Sequence, residues 1–234
     1  MKRCRHWVEV DSKMIDWQQI ETVLLDMDGT LLDLHFDNFF WLEHLPRRYA
    51  QTHQLDLELA HQELMEKFRQ QEGSLNWYCL DYWSEVLALD IPSLKREIQH
   101  KVSLRPQVKL FLQRLRNAKI RTLIVTNAHP ASIELKMNCT DIGTQVDAII
   151  CSHDFNKPKE DPAFWREFAQ QQAINKNRSL LIDDSLAVLR SARQFGIKYL
   201  LTISKPDSQQ PQRKECEFQS IKGFADVMAQ DFSR

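Results

Sequence analysis

Short runs of Val, Ile and Leu recur along the chain, and several of them end in acidic or polar side chains. The runs lie at residues 22–28, 121–127, 148–152, 179–184 and 199–203. Between them, apolar side chains repeat at helical spacing at residues 106–118, 162–171 and 186–195. Buried strands that alternate with helices form βαβ units. The pattern therefore predicts an α/β fold with a mostly parallel sheet flanked by helices.

Residues 36–104 interrupt this alternation. They contain no convincing strand pattern and instead show helical periodicity at residues 39–51, 57–71, 77–89 and 92–102. We therefore predict a core domain made of residues 1–35 and 105–234, with an all-helical domain, residues 36–104, inserted after the first strand. A chain of 234 residues is long enough for both parts.

Charge and cysteine content narrow the class of protein. The chain has 31 Lys and Arg against 32 Asp and Glu, which argues against a protein that coats nucleic acid. It has no apolar run of about 18 residues to cross a membrane, and no apolar stretch of a secretory signal near its start. Five scattered cysteines without a C-x-x-C pair predict a reducing, cytoplasmic location.

Polar side chains follow three of the predicted strands, at the point where each strand ends. Asp26 and Asp28 follow the first strand, Thr126 and Asn127 end the second, and the pair at positions 183 and 184 is also acidic. Parallel α/β sheets bind ligands beyond the carboxyl ends of their strands. Because buried carboxylates need a counter-ion and oxygen ligands suit Mg²⁺, the sequence predicts a magnesium site at this edge.

In order and spacing, these residues resemble the haloacid dehalogenase (HAD) superfamily, which has a Rossmannoid core. The resemblance is carried by Asp26-Met27-Asp28-Gly29-Thr30, Thr126, Lys159 and Asp183-Asp184. It implies that Asp26 is a nucleophile that forms an aspartyl-phosphate. Asp28 would protonate the departing oxygen and then take a proton from water. Because an alkoxide leaving group needs that proton, Asp28 favours hydrolysis of phosphomonoesters.

The resemblance also implies the residues that hold the metal ion and the phosphoryl group. Asp184 would bind Mg²⁺ with Asp26 and the main-chain carbonyl of Asp28, and Asp183 would reach it through water. Two further residues would hold the phosphoryl oxygens: Thr126 and Lys159. The alignment of Asp161-Pro162 with the family motif favours Lys159 over Lys157.

The helical insert resembles the C1-type cap of this superfamily, a lid that closes over small substrates. Several segments further resemble one bacterial branch, the GMP/IMP nucleotidases, which implies a purine mononucleotide as substrate. The segments lie at residues 26–41, 75–85, 126–130, 158–161 and 182–185. The candidate substrate contacts are Asn76, Trp77, Tyr78, Asp81, Asn127 and His129, with Asn38 and Trp41 near the lid hinge. For the aromatic residues a place in the lid core is an alternative, and for His129 a capping or surface role.

Other functions remain open from the sequence. The same core could hydrolyse another small phosphomonoester, such as a sugar phosphate or phosphoglycolate, or could serve as a catalytically weak binding protein. A phosphonatase would need a lid lysine that forms a Schiff base. Lys67, Lys95 and Lys101 are each predicted to lie on an exposed helix face, which argues against that reaction. A receiver domain would lack both the lid and the Asp-x-Asp-Gly-Thr motif.

Overall fold

A computed structural model describes residues 15–214, 217–228 and 232 of the chain. Two sequence predictions, on the first residues of the chain and on Cys4 and Cys216, lie outside the described residues. The described residues form one six-stranded sheet in the order β3-β2-β1-β4-β5-β6, in which every neighbouring pair is parallel. The strands are β1 (Thr22–Leu25), β2 (Arg121–Thr126), β3 (Ala148–Cys151), β4 (Ser179–Ile182), β5 (Tyr199–Ile203) and β6 (Ser220–Ile221). The predicted parallel α/β sheet is confirmed.

The order of the strands reverses at β1, which places β1 between β2 and β4. Leu25 at the end of β1 is in register with Ile124 of β2 and Ile182 of β4. Because the register is level, the residues that follow these strands emerge at the same edge. Such a switch in strand order opens the crevice in which α/β sheets bind ligands.

Helices cover both faces of the sheet because the side chains of a strand alternate between its faces. Val23 and Leu25 pack with helix α6 (Val108–Asn117) and helix α10 (Ala225–Met228). Leu24, on the opposite face, packs with α8 (Pro162–Gln172) and α9 (Leu186–Phe195). Helix α9 begins at the N-cap Ser185 and ends at Gly196, whose φ of 103° favours glycine.

Helix α7 (Pro130–Thr140) follows β2 and was not predicted from the sequence. Its buried residues are Ser132, Lys136 and Thr140, which recur every four positions and are all polar. A search for apolar periodicity cannot find a helix whose inward stripe is polar. β6 was also missed, because a strand of two residues is too short to show alternation.

Residues 35–101 are helical and have a hydrophobic cluster of their own, which includes Phe36, Phe40, Phe68 and Trp83. The helices are α1 (His35–Phe39), a π-helix (Phe40–His44), α2 (Leu45–His53), α3 (Leu57–Gln71), α4 (Leu80–Leu87) and α5 (Ile91–Glu97). We call residues 35–101 the helical insert. The predicted domain boundaries remain a prediction.

Two chain segments that run side by side connect the helical insert to the sheet. The Asp33 amide donates to the Ser103 carbonyl at 3.0 Å, and the Arg105 amide donates to the Leu31 carbonyl at 3.0 Å. This paired connection places the insert directly above the carboxyl edge of β1. None of the described helices has the length and apolarity needed to span a membrane.

Candidate active site

Lys159 lies at the centre of the carboxyl edge, with a side chain only 2% exposed. Its Nζ donates to Asp26 Oδ1 at 2.6 Å, to Asp183 Oδ2 at 2.7 Å and to the Val125 carbonyl at 2.9 Å. Burial works against the charge on Lys159, but Asp183 and Asp26 raise its pKa overall. Lys159 is therefore protonated, and its ammonium group connects the carboxyl ends of β1, β2 and β4. Lys157 instead pairs with Glu167 at 3.0 Å and does not line the pocket.

Asp26, Asp183 and Asp184 form an acidic cluster in which one oxygen of each lies within 4.8 Å of the others. Burial raises the pKa of Asp184, and the charges of Asp26 and Asp183 raise it further. Burial also raises the pKa of Asp26 to about 7, although Lys159 opposes the shift. Lys159 pairs with Asp26 and Asp183, and Arg213 lies 3.5 Å from Asp184, so two cations face three carboxylates. The cluster therefore has the charge and the oxygen donors of a cation site.

Gly29 makes room for this cluster. Its φ of 83° favours glycine, and a Cβ at this position would lie 2.7 Å from Asp184 Cγ. Arg213 holds Asp184 from the other side, donating to its carbonyl and lying 3.5 Å from Oδ2. No motif or periodic pattern in residues 205–214 indicates this contact.

Thr126 and Asn127 at the end of β2 are both buried and line the same pocket. Thr126 Oγ1 accepts from the Ala128 amide at 3.0 Å. Asn127 Oδ1 accepts from the Lys159 amide at 2.9 Å, and its Nδ2 donates to Glu160 Oε2 at 2.9 Å. Both polar atoms of the Asn127 side chain thus bind the loop that carries Lys159.

Asp28 faces a cation that the sequence analysis missed. Lys136 of α7 is buried, and its Nζ lies 2.7 Å from Asp28 Oδ1. Burial raises the pKa of Asp28 to about 6, and Lys136 opposes that shift. Polar residues at positions 132, 136 and 140, after β2, recur at helical spacing and include this lysine. That spacing could have indicated a helix that faces the site, but no role was assigned to it from the sequence. Lys136 also bonds Asp37 of the helical insert at 2.7 Å.

A pocket of about 500 Å³ extends from these residues into the helical insert. Asp26, Asp28, Thr126 and Lys159 are among the residues that line it on the core side. On the insert side its wall is aromatic and includes Trp41, Phe68, Trp77, Tyr78 and Trp83. The pocket is large enough for a drug-sized ligand and combines an apolar wall with a few charged groups.

The predicted substrate contacts divide into two groups. Trp77, Tyr78, Asn127 and His129 line the pocket, as do Asn38 and Trp41. Asn76 and Asp81 do not line it. Asn76 donates to Gln71 at 3.2 Å, and Asp81 is 79% exposed. On the short 3₁₀ turn Leu75–Tyr78, neighbouring side chains point in different directions, so Asn76 faces away while Trp77 and Tyr78 face the pocket.

Two of the residues predicted to contact the substrate are bound to protein groups on the other side of the pocket. The Tyr78 hydroxyl donates to Glu160 Oε1 at 2.7 Å, which connects the insert to the Lys159 loop. His129 caps α7 by accepting from the Ala131 amide, and its Nε2 lies 3.5 Å from Asp81 Oδ2. The prediction that Lys95 lies on an exposed helix face is wrong, because its side chain is 3% exposed and paired with Asp37.

Comparisons with known proteins show the family to which the chain belongs. The sequence model of the haloacid dehalogenase-like hydrolase family matches residues 20–196. The chain belongs to the haloacid dehalogenase-like hydrolases. It is 40% identical over 194 residues to the GMP/IMP nucleotidase YrfG of Escherichia coli (strain K12), an alignment that covers 83% of this chain and 87% of the relative. A protein of the same name from Shigella flexneri matches equally.

Solved structures show the same fold at low sequence identity. A HAD phosphatase from Thermococcus onnurineus superposes with a TM-score of 0.74 at 18% identity, covering 90% of this chain and 97% of that one. The L-2-haloacid dehalogenase of Xanthobacter autotrophicus gives a TM-score of 0.61 at 14% identity, covering 89% and 96%. Membership of this family makes the chain an enzyme of the hydrolase class.

Substitution of Gly29 tests whether the close approach to Asp184 is required. We expect Gly29→Ala to lower the hydrolysis of p-nitrophenyl phosphate at least about 100-fold, a loss typical of misplaced catalytic groups. Gly73→Ala is the matched control, because Gly73 has a similar φ of 80° with nothing within 4 Å of an added Cβ. Both variants should lose about 1–2 kcal/mol of stability from the strained backbone, measured by thermal unfolding. Equal activity in the two variants would contradict this role of Gly29.

Proposed function

We propose that the protein is a Mg²⁺-dependent phosphatase that hydrolyses purine 5′-mononucleotides, GMP and IMP, to nucleoside and phosphate through an aspartyl-phosphate. One observation carries the proposal: a buried Asp26–Lys159 pair lies at the base of an aromatic pocket of about 500 Å³. The similarity to a GMP/IMP nucleotidase supports the choice of substrate. We also infer a cytoplasmic location from the scattered cysteines.

In the first step, an Asp26 carboxylate oxygen attacks phosphorus as the bond from phosphorus to the ester oxygen breaks. Asp28 gives its proton to that ester oxygen, and the nucleoside leaves as an alcohol. Lys159 and Thr126 line the pocket beside Asp26 and are placed to stabilise the charge on the phosphoryl oxygens. Lys159 also fixes Asp26, because it bonds Oδ1 and leaves Oδ2 as the attacking atom.

In the second step, a water molecule attacks the phosphorus of the aspartyl-phosphate. Asp28, now ionised, accepts a proton from that water, and the bond between Asp26 and phosphorus breaks. Phosphate is released, and both carboxyl groups return to their starting states. The helical insert covers the pocket and limits the access of bulk water to the intermediate.

The acidic cluster fits a divalent cation. Asp26 and Asp184 would bind Mg²⁺ directly, with the Asp28 carbonyl, and Asp183 would contribute through water. The fit rests on three carboxylates, two of them buried, whose oxygens converge within 4.8 Å, with repulsion that Lys159 and Arg213 together leave unbalanced. Bound there, Mg²⁺ would screen the repulsion between the carboxylate nucleophile and the anionic phosphate.

Two charged side chains would form hydrogen bonds with the purine base. Arg69 and Glu72 line the pocket beside Phe68, and both are exposed. Within the described residues, neither side chain has a hydrogen bond or ion pair. An arginine donates to the O6 and N7 acceptors of a 6-oxopurine, and a carboxylate accepts from ring N–H groups. This pair would favour GMP and IMP over AMP, which carries an amino group in place of O6.

A panel of phosphomonoesters tests the substrate. We expect GMP and IMP to be hydrolysed with the highest kcat/KM in Mg²⁺, ahead of AMP, UMP, hexose phosphates and phosphoglycolate. Removal of Mg²⁺ with a chelator should abolish turnover of every member. A preference for hexose phosphate or phosphoglycolate would identify a different small-molecule phosphatase. Absence of turnover on all members would favour a binding protein.

The nucleophile can be tested by removing its charge. Asp26→Asn should abolish Mg²⁺-dependent release of phosphate from GMP, because a neutral amide cannot form the aspartyl-phosphate. Circular dichroism should show an intact fold, since the amide occupies the same volume. Asp161→Asn is a control at the N-cap of α8, outside the pocket lining. Turnover by Asp26→Asn near the level of that control would exclude Asp26 as the nucleophile.

Aromatic stacking can be tested at Trp77, which is 37% exposed in the pocket wall. Trp77→Ala should raise KM for GMP about 10-fold or more, since a stacked base contributes about 1–3 kcal/mol. p-Nitrophenyl phosphate should be affected less. Leu57→Ala, an exposed apolar residue of the insert outside the pocket lining, should change neither substrate. Equal losses on both substrates would assign Trp77 to the core of the insert.

A further inference from the structure

A row of four charged side chains runs from the catalytic loop into the helical insert. Lys136 Nζ lies 2.7 Å from Asp28 Oδ1 and 2.7 Å from Asp37 Oδ2. Lys95 Nζ lies 2.6 Å from the other oxygen of Asp37, Oδ1. We call Asp28, Lys136, Asp37 and Lys95 the ion-pair chain. It begins at the proposed general acid and ends inside the insert.

The two lysines of this chain are almost completely buried. The side chains of Lys136 and Lys95 are 1% and 3% exposed. Lys95 Nζ also lies 5.0 Å and 4.9 Å from the ring centroids of Phe36 and Phe40. Buried ion pairs are often no more stabilising than apolar residues of the same volume, because removing two charges from water is costly. Stability alone therefore does not explain why this row is charged.

The ion-pair chain crosses the boundary between the two parts of the molecule. Asp28 and Lys136 belong to the core, whereas Asp37 of α1 and Lys95 of α5 belong to the helical insert. Burial would raise the pKa of Asp37, but Lys136 and Lys95 lower it overall, so Asp37 stays ionised. The chain is complete when the insert lies against α7.

The contact with Lys136 also distinguishes the two oxygens of Asp28. Oδ1 is inaccessible to solvent, and among the described residues it has no partner in hydrogen-bond geometry. Lys136 therefore holds it by charge, as an ion pair at 2.7 Å, while Asp28 also lines the pocket. The proton that Asp28 transfers must therefore be carried by Oδ2. A carboxylate fixed at one oxygen presents the other in a defined direction, which proton transfer requires.

We propose that Lys136 is a positioning residue that aims Asp28 Oδ2 at the leaving oxygen, and that Asp37 and Lys95 make this alignment depend on the docked insert. The inference rests on the proposed function, in which Asp28 is the general acid. The ion-pair chain thereby connects closure over the substrate to correct placement of the proton donor.

The test compares leaving groups that do and do not need a proton. Lys136→Met keeps the length of the side chain and removes the charge. The measured quantity is kcat/KM, because it reports only the steps through departure of the leaving group and not the later hydrolysis of the aspartyl-phosphate, in which Asp28 acts on both substrates alike. On the alkyl phosphate that the wild type hydrolyses fastest, with GMP as first choice, we expect kcat/KM to fall about 100-fold, the contribution of general acid catalysis. On p-nitrophenyl phosphate, whose phenolate leaves unprotonated, the loss of kcat/KM should stay below about 5-fold.

Lys157→Met is the matched control, because Lys157 pairs with Glu167 outside the pocket. It should leave kcat/KM for both substrates unchanged. Asp37→Asn should show the same selective loss in weaker form, about 10-fold on the alkyl ester. If circular dichroism shows that Lys136→Met is unfolded, Asp37→Asn tests the positioning role in its place.

Equal losses on the two substrates would overturn the positioning role and leave a structural one. The outcome is separate from failure of the proposed function. If the wild type hydrolyses neither ester in Mg²⁺, the proposed function falls. If it hydrolyses both and the variants lose both equally, only the role of Lys136 falls.

Discussion

The carboxyl edge of the sheet depends on one buried ammonium group. Lys159 Nζ bonds Asp26 after β1, Asp183 after β4 and the Val125 carbonyl of β2, so a single side chain joins three neighbouring strands. Three carboxylates could not be brought together in a buried site without compensating cations. Neighbouring residues support this arrangement. Asn127 binds the backbone of Lys159, and Gly29 leaves space for Asp184.

The helical insert contacts residues beside two of the proposed catalytic groups. Tyr78 bonds Glu160 in the loop that carries Lys159, and Asp37 bonds Lys136 beside Asp28. Each contact therefore connects the insert to a residue next to a proposed catalytic group. The pocket lies between the two, and its wall of aromatic rings is supplied by the insert. Specificity and proton placement would thus both depend on residues outside the sheet.

The sequence was sufficient for strands β1 to β5 and for the polar residues that follow β1, β2 and β4. Apolar runs that end in acids predict buried strands, and the register of β1 with β2 and β4 brings Asp26, Thr126 and Asp183 together as expected. The choice of Lys159 over Lys157 agrees with the position of each side chain, although the catalytic roles of the site residues remain predictions.

The sequence was insufficient where burial and polarity are combined. Helix α7 was missed because its buried stripe is polar, and with it the contact between Lys136 and Asp28. Lys95 was predicted to be exposed, and this prediction failed because the burial of Lys95 depends on its pairing with Asp37. Asp37 is 58 residues away in the chain. Asn76 and Asp81 were selected from a segment whose turn sends neighbouring side chains in different directions. Contacts of this kind are set by tertiary packing and leave no apolar periodicity in the sequence.

The central claim is that Asp26 forms a covalent intermediate with phosphorus. The most direct measurement is the stereochemical course of phosphoryl transfer from an ester made chiral at phosphorus with oxygen isotopes to an acceptor alcohol. Each in-line displacement inverts the configuration, so an aspartyl-phosphate, which requires two displacements, predicts overall retention. The result does not depend on accumulation of the intermediate. Inversion would show a single displacement and would contradict the account.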